Sequence, residues 1–340
     1  MIHRTEPLLQ TDSSLSWQQQ LASAITDPIV LLKRLQLDES LLPAARIAAK
    51  QFPLRVPQAF VELMQIGDSN DPLLRQVLPL QEELISVSGY STDPIKELAY
   101  TEKGIIHKYQ GRVLLLVSGH CAINCRYCFR RHFPYEENRL SRNEWLETIH
   151  CLAADDSIEE VIYSGGDPLA SNDKQLAWLT QQIAAIPHIK RLRIHSRLPV
   201  VIPERIDDEC LSWLSNHRLD TAFVLHINHA NEISPALVSA VTRLRDVGII
   251  VLNQSVLLKG INNSIGALKT LSDQLFAAGV LPYYLHLFDP VSGAAHFDVP
   301  LKEAKQLHDE MLACLPGYLV PKLVKDIGGK ASKTPAGAIS

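Results

Sequence analysis

The sequence predicts an α/β fold in which six strand–helix units form a partial (βα)6 TIM-like barrel. Short runs of β-branched and aliphatic residues recur at 113–117, 161–164, 192–195, 223–227, 249–258 and 282–287. Their starts are spaced by roughly 30 residues, apart from one wider gap after the first, and this period is typical of strand–helix units in a parallel sheet. Six units are too few for a closed eight-stranded barrel, so we expect an open one.

Helix signals occupy the segments between these runs. Ser141 begins a capping-box pattern, and Ser234 places a capping residue directly before Pro235 in the first turn of a helix. The segments 173–186 and 264–278 also have helical periodicity. Strands that alternate with helices in this way predict βαβ units.

The chain before the barrel has a different pattern. Residues 1–105 are helix-prone and interrupted by prolines, with helical spacing at 17–25 and 28–37. We therefore expect an N-terminal helical region over 1–105, a barrel over 106–310 and a C-terminal segment over 311–340.

Composition excludes several classes of protein. The 340 residues are 46% hydrophobic and 21% charged, which is enough apolar material for a large core and argues against disorder. A formal net charge of −4 gives no overall attraction to nucleic acid or to anionic membranes. The sequence shows no signal peptide and no bilayer-spanning run, and its cysteines are not spread like those of a secreted disulfide scaffold. We expect a soluble cytoplasmic protein.

The strongest chemical signal is the run Cys121-Ala-Ile-Asn-Cys125-Arg-Tyr-Cys128 directly after the first predicted strand. Three thiolates in eight residues can surround one metal centre, and thiolates suit zinc or iron–sulfur clusters. Three interpretations are open at this point. The cysteines could be buried structural residues, zinc ligands completed by His120 or His132, or ligands of a four-iron cluster with one iron left open.

The other cysteines are Cys151, Cys210 and Cys314. All three fall in segments predicted to be helical. Because a free cysteine is among the most buried residue types, we expect these three to be core residues.

Several long motifs follow one another along the chain: DPLLRQVLP, CAINCRYCFRRHF, YSGGDP, LRIHSRLPVVIP, HINHANE, NQSVLLKG and SGAAHF. In this order they resemble the lysine 2,3-aminomutases of the radical S-adenosylmethionine (SAM) superfamily. The resemblance is strongest to the short branch that supplies β-lysine for elongation factor P. It implies a partial barrel of the radical SAM type, a [4Fe–4S] cluster held by Cys121, Cys125 and Cys128, and SAM as co-substrate. It also implies pyridoxal 5′-phosphate (PLP) and a radical 1,2-amino shift that converts L-lysine to (R)-β-lysine.

The resemblance assigns roles to residues near the cofactors. Lys333 matches the Lys-x-Pro pattern of the lysine that binds PLP in the C-terminal segment, and Lys330 is the alternative. Gly165, Gly166 and Asp167 match the glycine-rich turn beside SAM, although such a sequence alone is more often an ordinary turn.

A second group matches positions that hold the PLP phosphate or lie near SAM. Lys108, Tyr109 and Arg112 correspond to the phosphate-binding stretch, and His226 and Gln254 to positions near SAM. A histidine or glutamine at a strand end is also commonly a hydrogen-bonded core residue.

The resemblance also assigns the substrate contacts. Arg130 matches the residue that pairs with the α-carboxylate, where a planar guanidinium allows two parallel hydrogen bonds. Asp289 and Asp326 match positions that bind the ε-ammonium. An aminomutase for glutamate would need a cation where these acids lie, so the sequence favours lysine. A non-catalytic zinc-stabilised module is the alternative from another class.

The implied partners are free L-lysine, an electron donor, and a functional link to elongation factor P and its lysyl-ligase. No nucleic-acid or membrane partner is expected. Longer members of the family continue past the Lys-x-Pro segment with a cysteine-bearing extension, whereas this sequence ends seven residues after Lys333. That difference favours the short branch.

Overall fold

The computed structural model describes residues 15–138 and 140–339. Its centre is a ten-stranded sheet whose strands lie side by side in chain order. They are β1 (Thr101–Glu102), β2 (Ile105–Tyr109), β3 (Arg112–Ser118), β4 (Glu160–Gly165), β5 (Arg191–Ser196), β6 (Asp220–His226), β7 (Ile250–Val256), β8 (Leu281–His286), β9 (Lys322–Lys325) and β10 (Thr334–Pro335). Within the described ranges, no helix is long and apolar enough to cross a membrane.

The six predicted strands are confirmed as β3 to β8, and each pairs in parallel with the next. Helices cover the connections, so this part of the chain forms the predicted partial (βα)6 barrel. Short strands extend the sheet at both edges. β2 pairs antiparallel with β3, β9 pairs parallel with β8, and β10 returns antiparallel along β9.

The helices of the barrel are α5 (Arg142–Ala154), α6 (Asp173–Ala184), α7 (Leu198–Val201), α8 (Asp208–Ser215), α9 (Pro235–Asp246), α10 (Ile265–Ala277) and α11 (Leu301–Cys314). The capping box at Ser141 is confirmed, since its backbone N–H donates to Glu144 Oε2 at 2.7 Å. Ser234 Oγ accepts from the Leu237 N–H at 3.1 Å. Local side chains therefore fix where these helices begin.

Helices α1 (Trp17–Ala22), α2 (Pro28–Arg34), α3 (Leu42–Gln51) and α4 (Gln58–Val61) precede the sheet, as the helical spacing predicts. Their apolar side chains share one core with the barrel, in which Leu31 and Phe60 belong to the same cluster as Val161 and Ile194. β1 begins at Thr101, so the region predicted as helical also contributes to the sheet. The division at residue 105 stays a prediction.

The prediction that the three isolated cysteines are core residues is correct only for Cys210, which is buried in α8. Cys151 and Cys314 lie in helices as expected, but both are exposed. In α5 the side chains of Ile149 and Leu152 are buried against the barrel. Cys151 lies between them in the sequence but on the opposite, solvent-exposed face of the helix. Cys314 is the last residue of α11, beyond the buried stripe of that helix.

Candidate active site

A cavity of about 400 Å³ lies inside the barrel, and it is lined by the loops that follow the strands and by residues at the amino ends of β3 and β4. It is large enough for small-molecule ligands. The structure brings together at this cavity Lys108, Tyr109, Arg112, Cys121, Cys125, Cys128, Arg130, Gly165, Gly166, Asp167, His226, Gln254, Asp289, Asp326 and Lys333. Lys330 is exposed on the C-terminal segment, outside the set of residues that lines this cavity.

The loop after β3 carries the three clustered cysteines, which are free and partly buried at the cavity wall. Burial and the charge of Cys125 raise the pKa of Cys128 to about 11. Burial, with the neighbouring Cys128, raises the pKa of Cys121 as well. Three thiolates so close together repel one another unless a cationic centre compensates them. The donor set therefore fits an iron–sulfur cluster, whose irons supply that charge.

The zinc interpretation requires His120 or His132 as the fourth ligand beside the three cysteines. Across residues 15–138 and 140–339, no three Cys, His, Asp or Glu side chains are grouped as ligands for one metal ion. His120 and His132 are exposed, and His132 Nε2 lies 3.1 Å from the Ser292 carbonyl oxygen. A cluster binds each cysteine at a different iron, so it needs the sulfur atoms farther apart than a single ion does.

The glycine pair at the end of β4 packs against the residues that precede the cysteine loop. Gly165 has φ +116°, and a Cβ at this position would lie 2.5 Å from the Ser118 carbonyl oxygen. A Cβ on Gly166 would lie 2.5 Å from the carbonyl oxygen of His120. Only glycine allows the two backbones to approach so closely. The turn thereby sets the position of the residues just before Cys121.

Both carboxylate oxygens of Asp167 accept hydrogen bonds from the protein itself. Its Oδ1 accepts from the Leu169 N–H at 3.1 Å and from Ser196 Oγ at 2.7 Å. Its Oδ2 accepts from the N–H groups of Arg197 and Leu198 at 2.8 and 2.9 Å. These bonds join the glycine turn to the end of β5. A direct contact between this carboxylate and a cofactor stays a prediction.

Arg130 forms a buried ion pair that sequence reasoning missed. Its Nε and Nη2 donate to the two carboxylate oxygens of Glu97 at 2.6 and 2.9 Å. Its Nη1 donates to Ser164 Oγ at 3.2 Å and to the Gly165 carbonyl at 3.1 Å. Glu97 lies before the sheet in a short helical turn, and no motif marks it. The pair fixes the plane of the guanidinium at the cavity wall.

The carboxylate of Asp326 accepts hydrogen bonds from three predicted site residues. Its Oδ1 accepts from Lys108 Nζ at 2.8 Å and from Tyr109 Oη at 3.0 Å, and its Oδ2 accepts from Lys333 Nζ at 3.2 Å. Burial alone would raise the pKa of Asp326, but the ammonium groups of Lys333 and Lys108 lower it to about 2. Asp326 is therefore ionised at every physiological pH. It joins the predicted phosphate-binding residues to the predicted PLP lysine.

Asp289 has the opposite environment. Among the described residues its buried Oδ1 has no hydrogen-bond partner. Burial raises its pKa to about 7, against the opposing charge of Lys333. An unpartnered carboxylate oxygen in a ligand-sized cavity is suited to receive a cationic group.

Histidines at the ends of the central strands complete the wall. His226 and Gln254 are opposite each other in the β6–β7 register, and Gln254 Nε2 lies 2.7 Å from His226 Nε2. Burial lowers the pKa of His226 to about 3, so this ring is neutral. His195 and His286, which sequence reasoning missed, also line the cavity. His195 is the penultimate residue of β5 and His286 the last residue of β8, so a search for polar side chains at strand ends would have found them.

Comparison with known proteins agrees with this geometry. The family model described as the Radical SAM superfamily matches residues 115–268, a range that includes the cysteine loop and β4 to β7. Among solved structures, a radical SAM methyltransferase from Sphaerobacter thermophilus aligns with 65% of this chain and 68% of its own, with a TM-score of 0.42 and 18% identity. The match to the family model identifies residues 115–268 as a radical SAM domain.

Two relatives of high sequence identity show which family within the superfamily the chain resembles. The chain is 51% identical over 328 residues to a protein named L-lysine 2,3-aminomutase from Escherichia coli (strain K12), and the alignment covers 96% of each chain. It is 48% identical over 330 residues to a protein of the same name from Haemophilus influenzae, and 97% of each chain is covered. The chain therefore belongs to the L-lysine 2,3-aminomutase family.

Membership of this family implies a [4Fe–4S] cluster, SAM and PLP, and the residues present fit these groups. The free thiols of the loop after β3 suit the cluster. Lys108, Arg112 and Lys333 place cationic nitrogen at the cavity for an anionic phosphate and for covalent attachment. The buried Nε2 atoms of His195 and His286 have no hydrogen-bond partner among the described residues, so the wall has free polar atoms for a ligand.

Proposed function

We propose that this protein converts L-lysine to (R)-β-lysine by a radical 1,2-amino shift. The observation that carries the proposal is that one cavity holds the three cysteines and also Lys333 with the acids Asp289 and Asp326. A radical-generating centre and a site for a cationic amino acid therefore share one space. The protein's part in such a reaction is to position the reactants and to exclude water.

We assign each group of cavity residues to one cofactor according to its chemistry. Cys121, Cys125 and Cys128 would hold the cluster, with His226 and Gln254 beside SAM. Lys333 would hold PLP, and the PLP phosphate would lie against Lys108, Tyr109 and Arg112. When bound, these groups supply a carbon radical that removes hydrogen and a conjugated ring that stabilises the migrating nitrogen.

The substrate contacts favour lysine over glutamate. Arg130 is the partner that we propose for an α-carboxylate: Glu97 holds its Nε and Nη2, and its Nη1 would exchange the bonds to Ser164 and Gly165 for bonds to the substrate. Asp289 offers an unpartnered oxygen to the ε-ammonium, and Asp326 adds a second negative charge nearby. A glutamate side chain would place its carboxylate against the unpartnered Oδ1 of Asp289, which is unfavourable in a cavity of low dielectric.

The use of the product is part of the same proposal. β-Lysine would serve the modification of elongation factor P in the cytoplasm, with a lysyl-ligase attaching it. An electron donor would reduce the cluster. The extensive identity to short relatives supports this branch, since 96% of the Escherichia coli protein is covered.

The proposal is tested by anaerobic incubation of the reconstituted protein with L-lysine, SAM, PLP and dithionite, followed by chiral chromatography. We expect (R)-β-lysine, and we expect none from Cys125→Ala, which removes a cluster ligand. Cys151→Ala alters an exposed cysteine outside the loop and should retain activity. A colourless zinc protein without turnover would favour the non-catalytic alternative. The S product or a product from glutamate alone would contradict the proposal.

A further inference from the structure

Arg197, the first residue after β5, places a guanidinium against the cysteine loop. Its Nη1 donates to Cys125 Sγ at 2.8 Å and also contacts the hydroxyl of Tyr127. The side chain is buried, with only 6% exposed, and it lines the cavity. Arginine stays protonated in proteins, so this position carries a permanent positive charge beside one of the three sulfur atoms.

A buried network fixes this guanidinium from the side opposite the sulfur. Its Nη2 donates to Glu232 Oε2 at 2.9 Å and to Gln76 Oε1 at 2.7 Å. Gln76 Nε2 donates in turn to Glu232 Oε1 at 3.0 Å, and both side chains are fully buried. Asn228 Nδ2 adds bonds to Gln76 Oε1 at 3.0 Å and to Tyr127 Oη at 2.6 Å. The direction of Nη1 toward Cys125 is therefore set by packed partners.

The three arginines of the cysteine loop itself pair with glutamates. Arg126 Nε donates to Glu83 Oε1 at 2.8 Å, and Arg131 Nη2 donates to Glu83 Oε2 at 2.8 Å. Arg130 is paired with Glu97. Arg197, by contrast, donates a hydrogen bond to a sulfur of the motif, that of Cys125. The contact is thus specific to Cys125.

We propose that Arg197 is a positioning residue of the cluster, which holds Cys125 in place and raises the reduction potential of the bound [4Fe–4S] centre. This inference rests on the proposed function, because it requires Cys125 to be a cluster ligand. Reduction adds one electron and so one negative charge to the cluster. A hydrogen bond to a ligand sulfur, together with a nearby positive charge, stabilises the reduced form more than the oxidised form.

The test is a redox titration of the anaerobically reconstituted protein, followed by electron paramagnetic resonance without SAM, PLP or lysine. Arg197→Gln removes the charge and should make reduction at least tenfold less favourable at a fixed potential, which is about 59 mV for one electron. Arg197→Lys keeps the charge but loses the planar fork, so its potential should fall between those of the wild type and Arg197→Gln. Activity is not needed for this measurement.

Arg205→Lys is the matched control, because Arg205 is also fully buried in an ion pair, with Asp173, but contacts no cysteine of the loop. Its potential should equal that of the wild type. An unshifted potential in Arg197→Gln with normal iron content would overturn the inference. If Arg197→Gln does not fold, the potential of Arg197→Lys is measured instead, and an unshifted potential in that variant would likewise overturn the inference. A wild type that forms no cluster at all would refute the proposed function itself.

Discussion

Glu97 and Arg130 form a buried ion pair in which two parallel hydrogen bonds of 2.6 and 2.9 Å join carboxylate and guanidinium. Glu97 comes from the segment before the sheet, and Arg130 from the loop that carries the cysteines. The pair uses one edge of the guanidinium and leaves Nη1 near Ser164 and Gly165 at the cavity. The segment before the barrel therefore orients the residue that we propose for the substrate carboxylate.

Replacing Glu97 with Gln should both destabilise the protein and weaken lysine binding. The substitution leaves the buried charge of Arg130 without its counter-ion, which costs on the order of 3 kcal/mol. The KM for lysine should rise because the guanidinium is no longer held in one plane. Urea denaturation and steady-state kinetics measure the two effects.

The matched control for this change is Glu159→Gln, which removes a carboxylate paired with Lys190 and Arg191 at the surface. Solvent screens that pair, so its denaturation midpoint should stay near that of the wild type. Equal losses in the two variants would show that burial of the Glu97–Arg130 pair is unimportant.

Lys333, rather than Lys330, should carry PLP. Lys333 lies at the cavity within 3.2 Å of Asp326, whereas Lys330 is exposed. Borohydride reduction of the PLP-loaded protein, followed by peptide mapping, should place the label on Lys333. Lys333→Ala should lose nearly all of the label and Lys330→Ala should keep it. Label retained in Lys333→Ala would show that our assignment of the PLP lysine is wrong.

Lysine binding should strengthen as the pH rises from about 6 to about 8. Burial raises the pKa of Asp289 to about 7, so this carboxyl must lose a proton before it pairs with an ammonium. Isothermal titration in buffers of different ionisation enthalpy should detect proton release on binding below pH 7. Asp289→Asn should bind lysine more weakly and with little pH dependence in this range. An unchanged pH profile would remove Asp289 from the ammonium site.

The raised pKa of Asp289 also predicts how the stability of the protein changes with pH. The folded-state pKa of Asp289 is raised from its ordinary value of 3.8, so the folded form holds a proton that the unfolded chain loses first. Its contribution to the stability of the ligand-free protein is fully present below pH 3.8 and is lost as the pH rises through about 7. Comparing the urea midpoints of wild type and Asp289→Asn across this range isolates the effect.

Gly166→Ala should impair cluster assembly. The added Cβ would meet the His120 carbonyl oxygen at 2.5 Å, and because that atom belongs to the backbone, the loop before Cys121 must shift. The iron content after anaerobic reconstitution should fall well below that of the wild type. Gly266→Ala is the control, since nothing lies within 4 Å of its Cβ and it sits within α10. Normal iron content in Gly166→Ala would contradict this role of the turn.

The barrel was predictable because its signals are local. Strand periodicity at β3 to β8, and capping residues such as Ser141 and Ser234, depend on neighbours in the chain. Parallel strands also bring their carboxyl ends to one edge of the sheet. For this reason residues placed after strands, such as Cys121 and Asp289, meet at one cavity.

The contacts inside the site were not predictable, because they join residues far apart in the sequence. Glu97 carries no motif, and its pairing with Arg130 follows from how the segment before the sheet packs. The bonds of Asp326 to Lys108 and Lys333 depend on the parallel pairing of β9 with β8, which places Asp326 at the cavity. The exposure of Cys151 depends on which face of α5 meets the sheet.

The central claim is that three cysteines hold a cluster with an iron open to SAM. The most direct test is electron paramagnetic resonance of the reduced, reconstituted protein before and after addition of SAM. We predict about four irons per chain and a spectrum that changes when SAM binds at the open iron. A fully formed cluster whose spectrum is the same with and without SAM would contradict the account.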